Sequence, residues 1–338
     1  MGELMKKTWF RYLLNAAAIL LLYGIILVLT EFGILNRYYA LMTLPIGFNI
    51  ILAVSLNLAA GFLGQLPLGH AGFMAIGAYA SALFTMAFDN MPAIISFPLS
   101  IILGAIVAGI FGILIGIPAL RLKGDYLAII TLGFGEIIRV IILNLPFTGG
   151  AYGLKGISKY TTVSWTLVWV FITIYVIYTL IKSRHGRAIL SIREDEIAAE
   201  ASGISTTFYK VTGFAVSAAF AGVAGGLYAH YLCILDPPSF GFMKSCEILV
   251  MVVLGGMGSI IGSVVSAIVL TILPELLRGF SQYRMVIYSL LLVIVMIFRP
   301  SGLFGKYDFS LGKTFDSLFM NMRKFSEKKG GESDGSDS

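Results

Sequence analysis

Glu136 and Arg139 lie three residues apart in Gly133-Phe134-Gly135-Glu136-Ile137-Ile138-Arg139, in the middle of the apolar run Tyr126–Leu145. On a helix this spacing brings carboxylate and guanidinium together, which lowers the cost of holding either charge at the level of lipid. Two roles fit: a structural pair between helices, or a polar step on a route for a solute. His70, in Leu68-Gly69-His70-Ala71-Gly72, opens a second apolar run, where a capping or packing role outranks titration. Asp125 suits the start of a helix, where the dipole favours an acid. Gly255, Gly256, Gly258 and Gly262 crowd a third run. Glycines there can break a helix and bare backbone groups to a small polar solute, or let two helices pack closely.

Enzyme chemistry has no residues to use. No constellation of His, Ser and carboxylate stands out, and two cysteines and three histidines make neither a disulfide framework nor a metal site. Gly312-Lys313-Thr314 has the ending of a phosphate-binding loop, but Tyr307 occupies its first glycine position. After Gly256-Met257-Gly258, Ile261 stands where a dinucleotide fingerprint needs glycine. The chain is expected to hold no cofactor, and not to hydrolyse ATP itself.

The elements that position these residues are membrane helices. Of 338 residues, 58% are hydrophobic and 12% charged, against about 25% charged in a soluble domain. Mean hydropathy is +0.90, and apolar runs recur near the ~20 residues that cross a bilayer. The net charge of +6 comes from Lys and Arg between and beside those runs, as retention of loops on the cytoplasmic side requires. The partner demanded by composition is therefore the lipid bilayer, and nucleic acid is rejected.

In chain order, spans are expected at Leu13–Thr30, Tyr38–Ala60, Gly69–Phe88, Pro92–Leu120, Tyr126–Leu145 and Trp165–Ile181. The first is read as a retained span rather than a signal peptide, with a cytoplasmic N-terminus beside Lys6, Lys7 and Arg11. Val211–Leu232 then crosses outward, so that Cys233 and Cys246 flank one outer loop. The stretch Glu247–Leu277 is too long for one straight crossing. Splitting it at Leu254-Gly255-Gly256-Met257-Gly258-Ser259, into a half-helix and a second helix from Ile260, keeps the basic C-terminal region cytoplasmic after a last span at Met285–Phe298. The fold class is an all-α polytopic membrane protein of about ten transmembrane or half-membrane helices. Five segments fall on each side of the loop Pro146–Ser164, so an internal repeat would be an inverted five-plus-five repeat. Residues 1–310 form the transmembrane domain, and 311–338 a cytoplasmic tail whose distal GGESDGSDS is disordered.

Residues 182–210 interrupt this pattern with nine charged residues. Ile189, Ile192, Ile197, Ala201 and Ile204 recur at roughly helical spacing, and Arg193, Glu194, Asp195 and Glu200 lie elsewhere around the same amphipathic helix, which Gly203 stops. A cytoplasmic helix joined rigidly to spans on both sides can pass motion from a soluble partner. A plain solvated loop is the alternative.

Several segments together resemble the permease subunits of branched-chain amino-acid ABC importers, the LivM type more closely than the LivH type. They are Gly64-Gln65-Leu66-Pro67-Leu68-Gly69-His70-Ala71-Gly72-Phe73, Leu122-Lys123-Gly124-Asp125-Tyr126-Leu127-Ala128, Thr131-Leu132-Gly133-Phe134-Gly135-Glu136-Ile137, Gly186-Arg187, Ile192–Glu200 and Leu254–Gly258. Pro67 departs from the family pattern, which bears on the geometry of that link. The resemblance implies a pore subunit in a bacterial cytoplasmic membrane, both termini cytoplasmic, carrying leucine, isoleucine or valine. Its implied partners are a second, LivH-type permease, two cytoplasmic ATPase subunits that bind the ATP, and an extracellular solute-binding protein. It makes 182–210 the coupling loop, with Gly186, Arg187, Arg193, Glu194, Asp195, Glu196, Ala199, Glu200 and Gly203 as its residues. Glu136, Arg139, Gly255, Gly256 and Gly258 remain the pathway candidates. A urea or short-amide ABC importer would look much the same, and an ion-coupled transporter using Glu136 is the reading from another class.

Overall fold

The long apolar runs form helices at nearly the expected limits, in a computed structural model that describes residues 37–122, 124–277 and scattered positions from 283 to 302. Numbered among the described residues, the helices are α1 Arg37–Asn57, α2 His70–Ala87, α3 Ala93–Ala119, α4 Asp125–Asn144, α5 Val163–Lys182, α6 Arg184–Glu194, α7 Glu196–Ala201, α8 Thr206–Leu232, α9 Phe242–Gly255 and α10 Ile260–Leu276. A π turn, Leu58–Phe62, extends α1. Among the described residues, seven helical stretches are long and apolar enough to cross a membrane, and α10 is a shorter apolar helix. The chain is thus an all-α polytopic membrane protein. The span expected at 13–30 and the tail 311–338 lie outside the described residues, as does half of 285–298.

Strand structure among the described residues is confined to β1 Leu154–Lys155 and β2 Ile234–Leu235, antiparallel with Leu154 opposite Leu235. The split in 247–277 is present: α9 ends at Gly255 and α10 begins at Ile260. One boundary moves. α8 begins at Thr206, five residues before the expected Val211, because the charge of Lys210 is neutralised by Glu196 and so does not end the helix.

α8 packs most extensively on α3 and α2, and glycine makes that approach close. A Cβ at Gly77 would lie 2.2 Å from Gly222 Cα, and one at Gly222 would lie 2.6 Å from Ala108 Cβ. No side chain fits there, which is the close-packing use of glycine between membrane helices. Outward faces are apolar: Ile94, Ile106 and Leu114 of α3 and Ile129, Ile137 and Ile141 of α4 are all exposed, as a surface in contact with lipid requires. Inside, among the described residues, buried side-chain polar atoms other than Trp169 Nε1 find partners. His70 is buried at the first position of α2 with Nε2 3.0 Å from Ser55 Oγ, the packing role foreseen for it. Ser217 Oγ donates to Ser55 O (2.6 Å), and Thr85 Oγ1 lies 3.0 Å from His230 Nε2.

Candidate functional site

The segment 182–210 leaves α5 through a tight turn. Ser183 caps α6, its Oγ accepting from the Gly186 N–H at 3.2 Å, and a Cβ at Gly186 would sit 2.1 Å from Ile181 O. α6 buries Ile189 and Ile192 and exposes Arg187. The single amphipathic helix expected here is in fact two. Asp195 is extended (φ −154°, ψ 110°), and its Oδ1 accepts from the N–H groups of Ile197 (2.9 Å) and Ala198 (3.1 Å). An aspartate that caps a new helix start competes with continuing the old one. The consequence is that Ile197 does not share the buried face of Ile189 and Ile192: it is 76% exposed. Ala199 turns inward and is buried, while Glu194, Asp195, Glu200 and Gly203 stay exposed. Gly203 ends α7 as foreseen, at φ +83°. The Ile204 N–H donates to Ala199 O (3.1 Å) and the Gly203 N–H to Glu200 O (2.9 Å), a Schellman closure.

Two polar ties fasten this segment to the spans. Arg193 Nη1 donates to Gly61 O at 2.9 Å, in the π turn after α1, while Nη2 pairs with the exposed Glu194. The guanidinium therefore points into the protein. In the second tie Glu196 meets Lys210 of α8 at 2.6 Å, with the lysine side chain only 5% exposed. Sequence reasoning treated Lys210 as the edge of the polar stretch. Its available signal was its place one turn inside an apolar helix, where a charge needs a partner.

Arg193 also lies against the break between α9 and α10. A Cβ on Gly258 would be 3.1 Å from Arg193 Nη1, and one on Gly64 would be 2.9 Å from its Cγ. Gly256 and Gly258 both have positive φ (105° and 87°) and form the turn. Asn57 fastens it: its Nδ2 donates to Ser259 O (2.9 Å) and its Oδ1 accepts from the Gly258 N–H (2.8 Å). Gly255 and Gly262 bring α9 and α10 together, since a Cβ on either would come within 2.4 Å of the other's carbonyl oxygen. The Gly256 N–H donates to Val252 O and the Gly262 N–H to Ser259 Oγ. The geometry of these glycines is that of packing and turning. Asn57, missed from sequence, was visible as a lone amide between Leu56 and Leu58.

Glu136 and Arg139 pair at 2.7 Å. Glu136 Oε1 also accepts from the N–H of Phe242, the first residue of α9, at 3.2 Å. The carboxylate thus sits at the positive end of a helix dipole as well as beside a cation. A further polar group went unforeseen. Lys244 pairs with Glu247 at 3.0 Å and donates to Asn49 Oδ1 at 3.4 Å, and Asn49 Nδ2 donates to Thr271 Oγ1 at 3.0 Å. Cys233 and Cys246 are free thiols.

The family described as "Branched-chain amino acid transport system / permease component" matches residues 38–299. The high-affinity branched-chain amino acid transport system permease protein LivM of Salmonella typhimurium is 39% identical over 289 residues, covering 75% of this chain and 67% of that protein. LivM of Escherichia coli matches at the same identity and coverage. The permease protein LivH of Salmonella typhimurium is 26% identical over 286 residues, covering 76% of this chain and 91% of the relative. No solved structure matches the chain.

Proposed function

The chain belongs to the family of branched-chain amino-acid transport permease components, as a membrane-spanning subunit of an ATP-binding-cassette importer, and on that premise we propose how it couples ATP hydrolysis to transport. The exposed face of α6 and α7, with Arg187, Glu194, Asp195, Ile197 and Glu200, receives a cytoplasmic ATPase subunit. Two ATPases bind the ATP, a LivH-type permease completes the pathway, and a binding protein delivers leucine, isoleucine or valine from outside. The chain lies in the bacterial cytoplasmic membrane with both termini inside. Its greater identity to LivM than to LivH supports the LivM role.

One observation carries this reading: the Arg193 guanidinium joins the docking segment to Gly61 and reaches Gly258, at the chain breaks after α1 and after α9. Helices transmit displacement as rigid units, and the residues that absorb it lie at element ends. Arg193 is accordingly a strut toward the membrane rather than a contact with the ATPase. The ion-coupled reading loses its carrier, because Glu136 is held by Arg139 and by the Phe242 N–H. The test is leucine uptake by the four-component complex in proteoliposomes, with ATP inside and loaded binding protein outside. ATP-dependent uptake is expected, and its absence from a fully assembled complex overturns the assignment.

A further inference from the structure

Lys244 and Glu247 lie in Pro237–Gly255, one of the stretches able to cross a membrane. A charge at that level faces protein or water rather than lipid. Around this pair three helices meet: α9 supplies Lys244 and Glu247, α1 supplies the buried Asn49, and α10 supplies Thr271. Among the described ion pairs of the spans, Lys210 is only 5% exposed against Glu196, whereas Lys244 and Glu247 are 19% and 42% exposed, much as Arg139 and Glu136 are at 28% and 37%. Both oxygens of Glu136, however, are engaged, by Arg139 and by the Phe242 N–H. An ammonium has three hydrogens to donate and a carboxylate two oxygens. Among the described residues, Lys244 donates to Glu247 Oε2 and Asn49 Oδ1, so one N–H and Glu247 Oε1 remain unused. One helical turn from each polar residue stands a half-buried aliphatic side chain on the same side: Ile46 from Asn49, Val250 from Glu247, Ile268 from Thr271.

We propose that Lys244 and Glu247, with Asn49, form a station on the translocation pathway that receives the zwitterionic backbone of the transported amino acid. The Lys244 ammonium meets the α-carboxylate and the Glu247 carboxylate meets the α-ammonium. Ile46, Val250 and Ile268 offer apolar surface to a branched side chain. An uncharged amide would have no use for paired opposite charges. The pair opens to admit the solute and re-forms when it leaves, so neither ion is left uncompensated. Binding of this kind stays weak, which conduction requires. The proposal rests on the importer reading above.

The test uses the complete complex in proteoliposomes, measuring leucine uptake and binding-protein-stimulated ATP hydrolysis together. Lys244→Met and Glu247→Gln are each expected to cut uptake at least about tenfold, the scale of one lost hydrogen bond to a charged group, while stimulated hydrolysis persists. Glu247→Asp, which keeps the charge but shortens the reach, is expected to do the same and carries the test if the neutral variants fail to assemble. In a C233S/C246S background, Glu247→Cys should react with a water-soluble thiol reagent. Normal uptake in the variants, uptake and hydrolysis falling together in proportion to assembled complex, or no labelling would each overturn the station while leaving the importer standing. A wild-type complex that carries no leucine would remove both.

Discussion

Replacing Arg193 by Met should uncouple the importer without unfolding the permease. The substitution keeps the length of the apolar stem and removes the charge-assisted bond to Gly61 O at 2.9 Å. Bonds of this kind contribute about 1.5–3 kcal/mol. The pairing with Glu194 adds little, because that partner is 68% exposed and exposed pairs are worth about 0–1 kcal/mol. The loss therefore falls on the joint between docking segment and spans, and corresponds to about one to two orders of magnitude in the population that moves as one body. Stability suffers less, since Ile189 and Ile192 remain buried and the Glu196–Lys210 tie is untouched. The assay is the ratio of leucine transported to ATP hydrolysed in proteoliposomes, beside the yield of assembled complex. A fall of about tenfold or more in that ratio at normal assembly is expected. Arg193→Lys should recover only part of it, because a single ammonium cannot serve Gly61 and Glu194 in the geometry of the guanidinium fork. An unchanged ratio in Arg193→Met refutes the strut, and a ratio that falls only with the amount of complex makes the residue structural.

Three other outcomes follow from the same geometry. Glu196→Gln strands the nearly buried Lys210 charge and should destabilise the permease by about 3 kcal/mol, read as a lower melting temperature of the purified complex; adding Lys210→Met should restore much of it, and no restoration would mean that Glu196 acts elsewhere. Glu136→Gln removes both the Arg139 partner and the charged cap of α9, so assembly should fall along with uptake, by about 2 kcal/mol of stability; normal assembly with lost uptake would instead place Glu136 on the pathway. A membrane-impermeant thiol reagent applied outside should label Cys233 or Cys246, both partly exposed and free, and labelling from the cytoplasmic side alone would reverse the topology.

What the sequence reveals here is what short-range physics decides. Length and apolarity mark the spans, as α3 and α4 illustrate, and the split between α9 and α10 could be read because glycines and the sidedness of charge agree. Gly203 was equally legible, since a left-handed residue after an amphipathic stretch is a local event. Asp195 was not, because an aspartate inside a helical pattern serves equally as a solvated side chain or as a cap, and the periodicity of the isoleucines favoured the first. The remaining misses are long-range. Arg193 meets Gly61, 132 residues away, and Asn57 meets Gly258, 201 residues away. Lys244 was assigned to the outer loop because the apolar run was started at Glu247, although its spacing from Glu247 is the same as that of Glu136 from Arg139.

Asn57, Gly61 and Gly258 also bear on why force applied to a short surface helix can move a membrane domain at all. Pushing on the side of an intact helix works against every backbone bond in it, whereas the residues at a break have only a few bonds to rearrange. The break between α9 and α10 is held to α1 by the two hydrogen bonds of one amide, Asn57, and Arg193 lies beside both of its sides. Gly256 and Gly258 occupy positive φ, where residues with a Cβ are strained and glycine is not. In the proposed coupling, a displacement of α6 is delivered to a joint held by few bonds, and α9 leads from that joint back to Lys244 and Glu247. The two proposals thus place coupling and selectivity on one helix: its C-terminal end lies by Arg193, and its N-terminal half carries the Lys244–Glu247 pair.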